Sequence, residues 1–148
     1  MIHRIAAGGI VIKDNKILLV RYKDKNGSYL VCPGGAIEDR ESLADAAVRE
    51  VVEETGVQIA AGKPIMIENL RGNRYQMIKI WYSADYFSGE ARMTKGAFDE
   101  GITEVGWFSD EDLINETVYP PIVKNMKIKG LMDFNSNIID GGVIFADF

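Results

Sequence analysis

Most of this chain alternates apolar and polar residues as strands do, and one stretch changes to a helical spacing. "RIAAGGIVI" and "KILLVRY" predict two strands joined by the turn "KDN". "KDKNGS" reads as a polar loop and "YLVCPGG" as a short strand stopped at Pro33. Residues 42–55 take the helical spacing, with Ser42 as N-cap, Asp45 in capping-box position and Gly56 as the stop. "PIMIENL" and "QMIKIWYSADYF" predict further strands, "SGEARMTKGAFDEGITE" a long loop and "VGWF" a short strand. "SDEDL" begins a helical turn, and "YPPIVKNMKIKGLM" a second helix entered through Pro120 and Pro121. The tail "NIIDGGVIFADF" is either a final strand or a segment that meets a second subunit in a homodimer. Many strands with few helices between them predict an α/β chain with a mixed sheet flanked by helices, in one domain over residues 1–148.

Composition narrows the partners. A net charge of -5 argues against a nucleic-acid polymer, whose phosphates reward Lys and Arg, yet leaves room for a small anion held through a cation. The lone Cys32 cannot form an internal disulfide, and no apolar run approaches the ~20 residues of a membrane helix. The expectation is a cytoplasmic protein away from membranes. Cys32 lies in an apolar strand and reads as packing, and His3, near the start of the chain, as surface.

The helix poses the chemical question. Leu43, Ala44, Ala47, Val48, Val51 and Val52 fall on the side expected to meet the sheet, with Glu50, Glu53 and Glu54 on the adjacent arc. Those like charges repel at spacings of three and four residues. They also crowd the C-terminal end, where the helix dipole disfavours anions. Arg49 offsets part of this. A solvated acidic face would carry the charge but does not account for its placement. A hard divalent cation, Mg²⁺ or Mn²⁺, would, because such ions prefer carboxylate, carbonyl and water oxygens.

Gly35, five residues, Glu41, seven residues and then "REVVEETGV" match the spacing of the Nudix box, which this segment resembles at every fixed position from residue 35 to 57. The resemblance implies an α/β/α sandwich and metal-assisted hydrolysis of a nucleoside diphosphate linked to a further group. It implies that Glu50, Glu53 and Glu54 bind metal, joined by the carbonyl of Gly34 or Gly35. Arg49 would orient those glutamates and Glu41 would help hold the site. Gly34, Gly35 and Glu41 are expected beside the substrate. The base is a box glutamate or a late-loop glutamate, Glu100 being favoured over Glu104. Arg21 and Lys23, ending the second strand, are candidates for the phosphates, as are Arg71 and Arg74. Tyr119, Trp81, Tyr82 and Phe98 are candidates for stacking on a base. The markers that separate substrates within the family leave nucleoside triphosphate, sugar nucleotide and dinucleoside polyphosphate open. A module that senses nucleotide without cutting it is the alternative, though such a module would be expected to lose box carboxylates.

Overall fold

The computed structural model describes residues 1–145. Strand β1 (Ile2–Lys13) enters β2 (Lys16–Asp24) through Asp14 and Asn15, whose φ angles are 50° and 58°. Two left-handed central residues define the hairpin turn whose twist matches its strands, and Asp and Asn tolerate that conformation. The segment read as a polar loop is shorter than expected, because β2 runs to Asp24 and β3 (Gly27–Val31) starts at Gly27. Pro33, which has no N–H to donate, splits the next predicted strand, and β4 (Gly34–Ala36) follows it.

Helix α1 (Leu43–Thr55) leads into β5 (Gln58–Arg71) and β6 (Tyr75–Ser88), both longer than their apolar runs suggest. The loop after β6 is not wholly irregular: it contains a short helix, α2 (Lys95–Asp99). Strands β7 (Glu104–Phe108) and β8 (Val118–Tyr119) follow, separated by a 3-10 turn over Glu111–Leu113. Helix α3 (Ile122–Met132) is interrupted at Lys127, where φ is 61° and ψ 171°. The tail forms a final strand, β9 (Ile139–Phe145), parallel to β5; the rest of it, residues 146–148, lies outside the described residues.

The strands form one mixed sheet in the order β8-β3-β2-β1-β6-β5-β9, with β4 paired to β1 and β7 to β2. Strand β1 is the pivot. On one edge it pairs in parallel with β6 from Ile2 to Ile12. On the other it pairs first with β4, at residues 6–8, and then with β2, at Ile12 and Lys13. The sheet therefore forks along β1 and curls. Residues Ala6 to Val11 are buried throughout, as expected of a strand covered on both faces.

Helices on both faces explain that burial. Ala7 packs with Ala46 and Ala47 of α1, and Val11 with Val51, Val57 and Ile59. On the other face Ile10, Leu19, Leu30 and Trp81 pack with Val123, Ile128 and Leu131 of α3. The result is the α/β/α sandwich expected from the sequence. Among the described residues no helix is long and apolar enough to cross a membrane.

Candidate active site

Helix α1 begins where predicted. Ser42 Oγ accepts a hydrogen bond from the Asp45 amide at 3.1 Å, and Gly56 ends the helix at φ 76°. Its inward face differs from the expected one. Ala46 is fully buried, whereas Leu43, Ala44, Val48 and Val52 are only half-buried. The stripe Ala47–Val51 continues into Glu54, which lies three residues past Val51 on the same side. Glu54 is 3% exposed. The helix has turned a carboxylate, rather than another valine, toward the fork of the sheet.

Glycines let the helix and β4 approach. A Cβ on Gly35 would lie 2.6 Å from the carboxylate carbon of Glu50, and one on Gly34 would lie 2.6 Å from the Cα of Gly8. The Gly34 amide donates to Glu54 Oε2 at 3.3 Å. Burial, more than any other influence, pushes the Glu54 carboxyl up to about 8, and the Lys79 ammonium opposes it. Burial also raises Glu50, with Arg49 pulling the other way.

Arg49 organises the polar side. Its Nε donates to Glu41 Oε1 at 2.7 Å and its Nη2 to Glu41 Oε2 at 3.0 Å. Nη1 donates to Glu50 at 3.0 Å and to Glu53 at 3.1 Å, and Nη2 also reaches the Ala36 carbonyl at 3.0 Å. All five guanidinium protons are thus engaged. Hydrogen bonding by Arg49 is the main reason that Glu41 ionises more readily than an ordinary glutamate.

The end of helix α2 brings a fifth carboxylate. The Thr94 hydroxyl accepts from the Ala97 amide at 2.9 Å and donates to the Glu53 carbonyl. A Cβ on Gly96 would sit 2.5 Å from that carbonyl oxygen, so α2 docks closely on the end of α1. At the end of α2, the charge of Glu100 reaches Glu50 and Glu54 and helps raise both. Glu104 is engaged elsewhere, accepting from Arg21 Nε at 2.5 Å. Arg21 also donates to both oxygens of Glu116 at 2.9 Å and to Ser28 at 3.0 Å, leaving one proton uncommitted.

The remaining candidates disperse. Trp81 is 1% exposed and donates its indole N–H to Glu68, so its ring offers no open face to a base. Tyr82 packs with Ala7, Ala46 and Ala47. Phe98 and Tyr119 are exposed. Lys23 is exposed, and Arg71 and Arg74 flank the β5–β6 turn without bonding any box residue. Cys32 is buried, its thiol pushed up chiefly by that burial, and His3 is exposed.

Sequence reasoning passed over two features. Lys79 and Glu68, register partners on β6 and β5, are both buried beneath the box. Burial lowers Lys79 and raises Glu68, while Lys79 sits over the Trp81 ring at 4.3 Å. The signal was a lysine inside the apolar run "MIKIWY". The second feature is Tyr22, whose phenol is raised chiefly by burial and then by the charges of Glu54, Glu100 and Glu50.

The donor set offers only oxygen, which suits a hard divalent cation rather than a soft one. Among the described residues no three ligating side chains yet converge on one point. Instead the Arg49 guanidinium bridges Glu50 and Glu53, a positive charge standing between two ligand candidates.

A sheet forked beside a Gly-Gly strand, with a carboxylate helix turned into the fork, finds clear counterparts. The profile of the NUDIX domain matches residues 2–127. The chain belongs to the NUDIX family. It is 37% identical over 93 residues to an ADP-ribose pyrophosphatase of Methanocaldococcus jannaschii, a match covering 60% of this chain and 54% of that protein. The chain thus spans about half the length of that relative. It is 27% identical over 127 residues to the Bacillus subtilis protein named "Putative 8-oxo-dGTP diphosphatase YtkD", covering 80% of this chain and 77% of the other. Among solved structures, a NUDIX hydrolase from Nitrosomonas europaea superposes with a TM-score of 0.77 at 17% identity, covering 99% of this chain and 81% of that one.

Proposed function

We propose that this chain is a divalent-metal-dependent pyrophosphohydrolase that cuts the diphosphate linkage of a nucleoside diphosphate derivative. The observation that carries this reading is Glu54, a metal-type carboxylate buried in the fork beside the Gly34 amide. Glu50, Glu53 and Glu54 would hold Mg²⁺, or Mn²⁺ in its place, with the Gly34 or Gly35 carbonyl completing the set. Bound there, the ion would offset phosphate charge and make a water acidic enough to attack.

The chain's own groups do the rest. Arg49 and Glu41 hold the carboxylates in register while a substrate enters. Arg21, held by Glu104 and Glu116 on the face of β2 opposite Tyr22, has no role at the phosphates. Glu100 takes the proton of the attacking water, a role supported by its field at Glu50 and Glu54 and by the engagement of Glu104 with Arg21. Glu100→Gln is expected to slow turnover about a hundredfold while leaving the melting temperature unchanged. A rate near wild type would exclude Glu100 as the base.

The substrate lies among sugar nucleotides, nucleoside triphosphates and dinucleoside polyphosphates. The names of the relatives from Methanocaldococcus jannaschii and Bacillus subtilis support the first two of these. Phosphorus NMR of the protein with a nucleotide panel, with and without Mg²⁺, tests the proposal. Metal-dependent cleavage of one compound is expected, slowed about a hundredfold by Glu53→Gln. Nucleotide bound and never cut would favour a sensor instead.

A further inference from the structure

Helix α2 is held on two sides. Ala97 is fully buried against Val20 of β2 and Ile102, which fixes the helix to the sheet. Its other side meets the C-terminal end of α1, where a helix leaves carbonyls without partners. The Arg92 amide donates to the Thr55 carbonyl at 3.0 Å, and the Thr94 hydroxyl donates to the Glu53 carbonyl. Gly96 lets this contact close, because the atom nearest to a Cβ there would be the same Glu53 oxygen.

Ordinary N-capping explains half of what Thr94 does. Its oxygen accepts from the Ala97 amide at 2.9 Å, as the residue before a helix commonly does. A cap has no need to direct its own proton at another helix. Nor does capping require a glycine at 96, inside α2, where alanine is the better helix former. Both features serve the contact with Glu53. The far end of α2 is equally defined. The amides of Gly101 and Ile102 return to the carbonyls of Phe98 and Ala97, and Gly101 has a φ of 83°. That left-handed glycine closes the helix directly after Glu100. With only Lys95–Asp99 between its caps, a shift at Thr94 is a shift at Glu100.

We propose that Thr94, together with Gly96, is a positioning residue that sets Glu100 against the carboxylates by way of the Glu53 carbonyl. Glu53 then serves twice, its side chain toward the metal and its carbonyl as the mooring of α2. One residue of α1 thereby fixes the distance between the cation and the group that takes the proton of water. This rests on the proposed hydrolysis and on Glu100 as its base.

Steady-state kinetics on the nucleotide that wild type cleaves fastest, beside Mn²⁺ titration followed by electron paramagnetic resonance, test the assignment. Thr94→Val is expected to lower kcat about tenfold, since a misplacement of about 1 Å can cost up to about a hundredfold. KM and the affinity for Mn²⁺ should hold. Thr94→Ser, which keeps the hydroxyl, should recover most of the rate. Gly96→Ala keeps the cap and favours the helix, yet should repeat the loss by pushing α2 off Glu53. In a Glu100→Gln background neither Thr94→Val nor Gly96→Ala should slow turnover further, because a residue that acts through Glu100 has nothing left to position. Normal kcat in both single variants, additive losses in the double variants, or Mn²⁺ affinity falling in step with the rate would each overturn the positioning role and leave the hydrolysis standing. Wild-type turnover by Glu100→Gln would overturn the choice of base and this role with it. A wild-type protein that cleaves no nucleotide in the presence of metal would overturn both proposals.

Discussion

Arg49→Lys is expected to slow turnover about a thousandfold although it conserves charge, because it disturbs several carboxylates together and a misplacement of about 1 Å can cost about a hundredfold. The guanidinium spends five donors on Glu41, Glu50, Glu53 and the Ala36 carbonyl. An ammonium has three donors and no planar fork, so the paired bonds to Glu41 cannot be reproduced. Glu41, Glu50 and Glu53 would then repel one another with less to restrain them. Folding stability should fall by about 1–3 kcal/mol, the scale of lost hydrogen bonds to charged groups. Steady-state kinetics beside urea unfolding check both numbers. A lysine variant with a near-normal kcat would show that charge alone suffices and would remove Arg49 as the organiser of the site.

Lys79→Met should compare less well with wild type at high pH than at low pH. Lys79 is the cation that opposes the burial of Glu54, and it also acts on Glu68. Glu54 has its folded value raised to about 8, above the ordinary 4.5, so the stability it contributes is full below the unfolded value. That contribution is lost as pH rises through about 8. Near pH 6, then, Glu54 is protonated, and methionine relieves the cost of holding an ammonium in the core. The variant should match or exceed wild type there. Near pH 9 the wild-type carboxylate is charged beside Lys79, whereas without that cation burial keeps Glu54 protonated to higher pH, so the variant should stand about 1 kcal/mol worse against wild type than it does near pH 6. Urea unfolding in a chelator at the two pH values gives the answer. Parallel losses at both would mean that Lys79 serves only to pack.

The sequence made some of this legible for a local reason. Ser42, Asp45 and Gly56 act within one turn of the helix they bound, so the limits of α1 could be read directly. The box glutamates were legible as a set, but the inward rotation that buries Glu54 was not. Valines at 48 and 52 promised a more apolar face than the fork of the sheet allows. Helix α2 escaped because five residues carry too little periodicity, and because its docking depends on the Glu53 carbonyl, far away in the chain. Arg21 shows the same limit. Its partners Glu104 and Glu116 lie 83 and 95 residues away, and only the folded sheet brings them together.

The shared role of β1 bears on how the molecule breathes. Because β6 holds one edge from Ile2 to Ile12, while β4 and β2 hold the other at residues 6–8 and at Ile12 and Lys13, the middle of the strand is paired on both sides. Fluctuations that fray β8 or β9 at the margins leave that ladder closed. Exchange of its amide hydrogens with heavy water should be the slowest in the molecule, at the rate of global unfolding. The floor beneath the glutamates is thus the part of the protein that yields last.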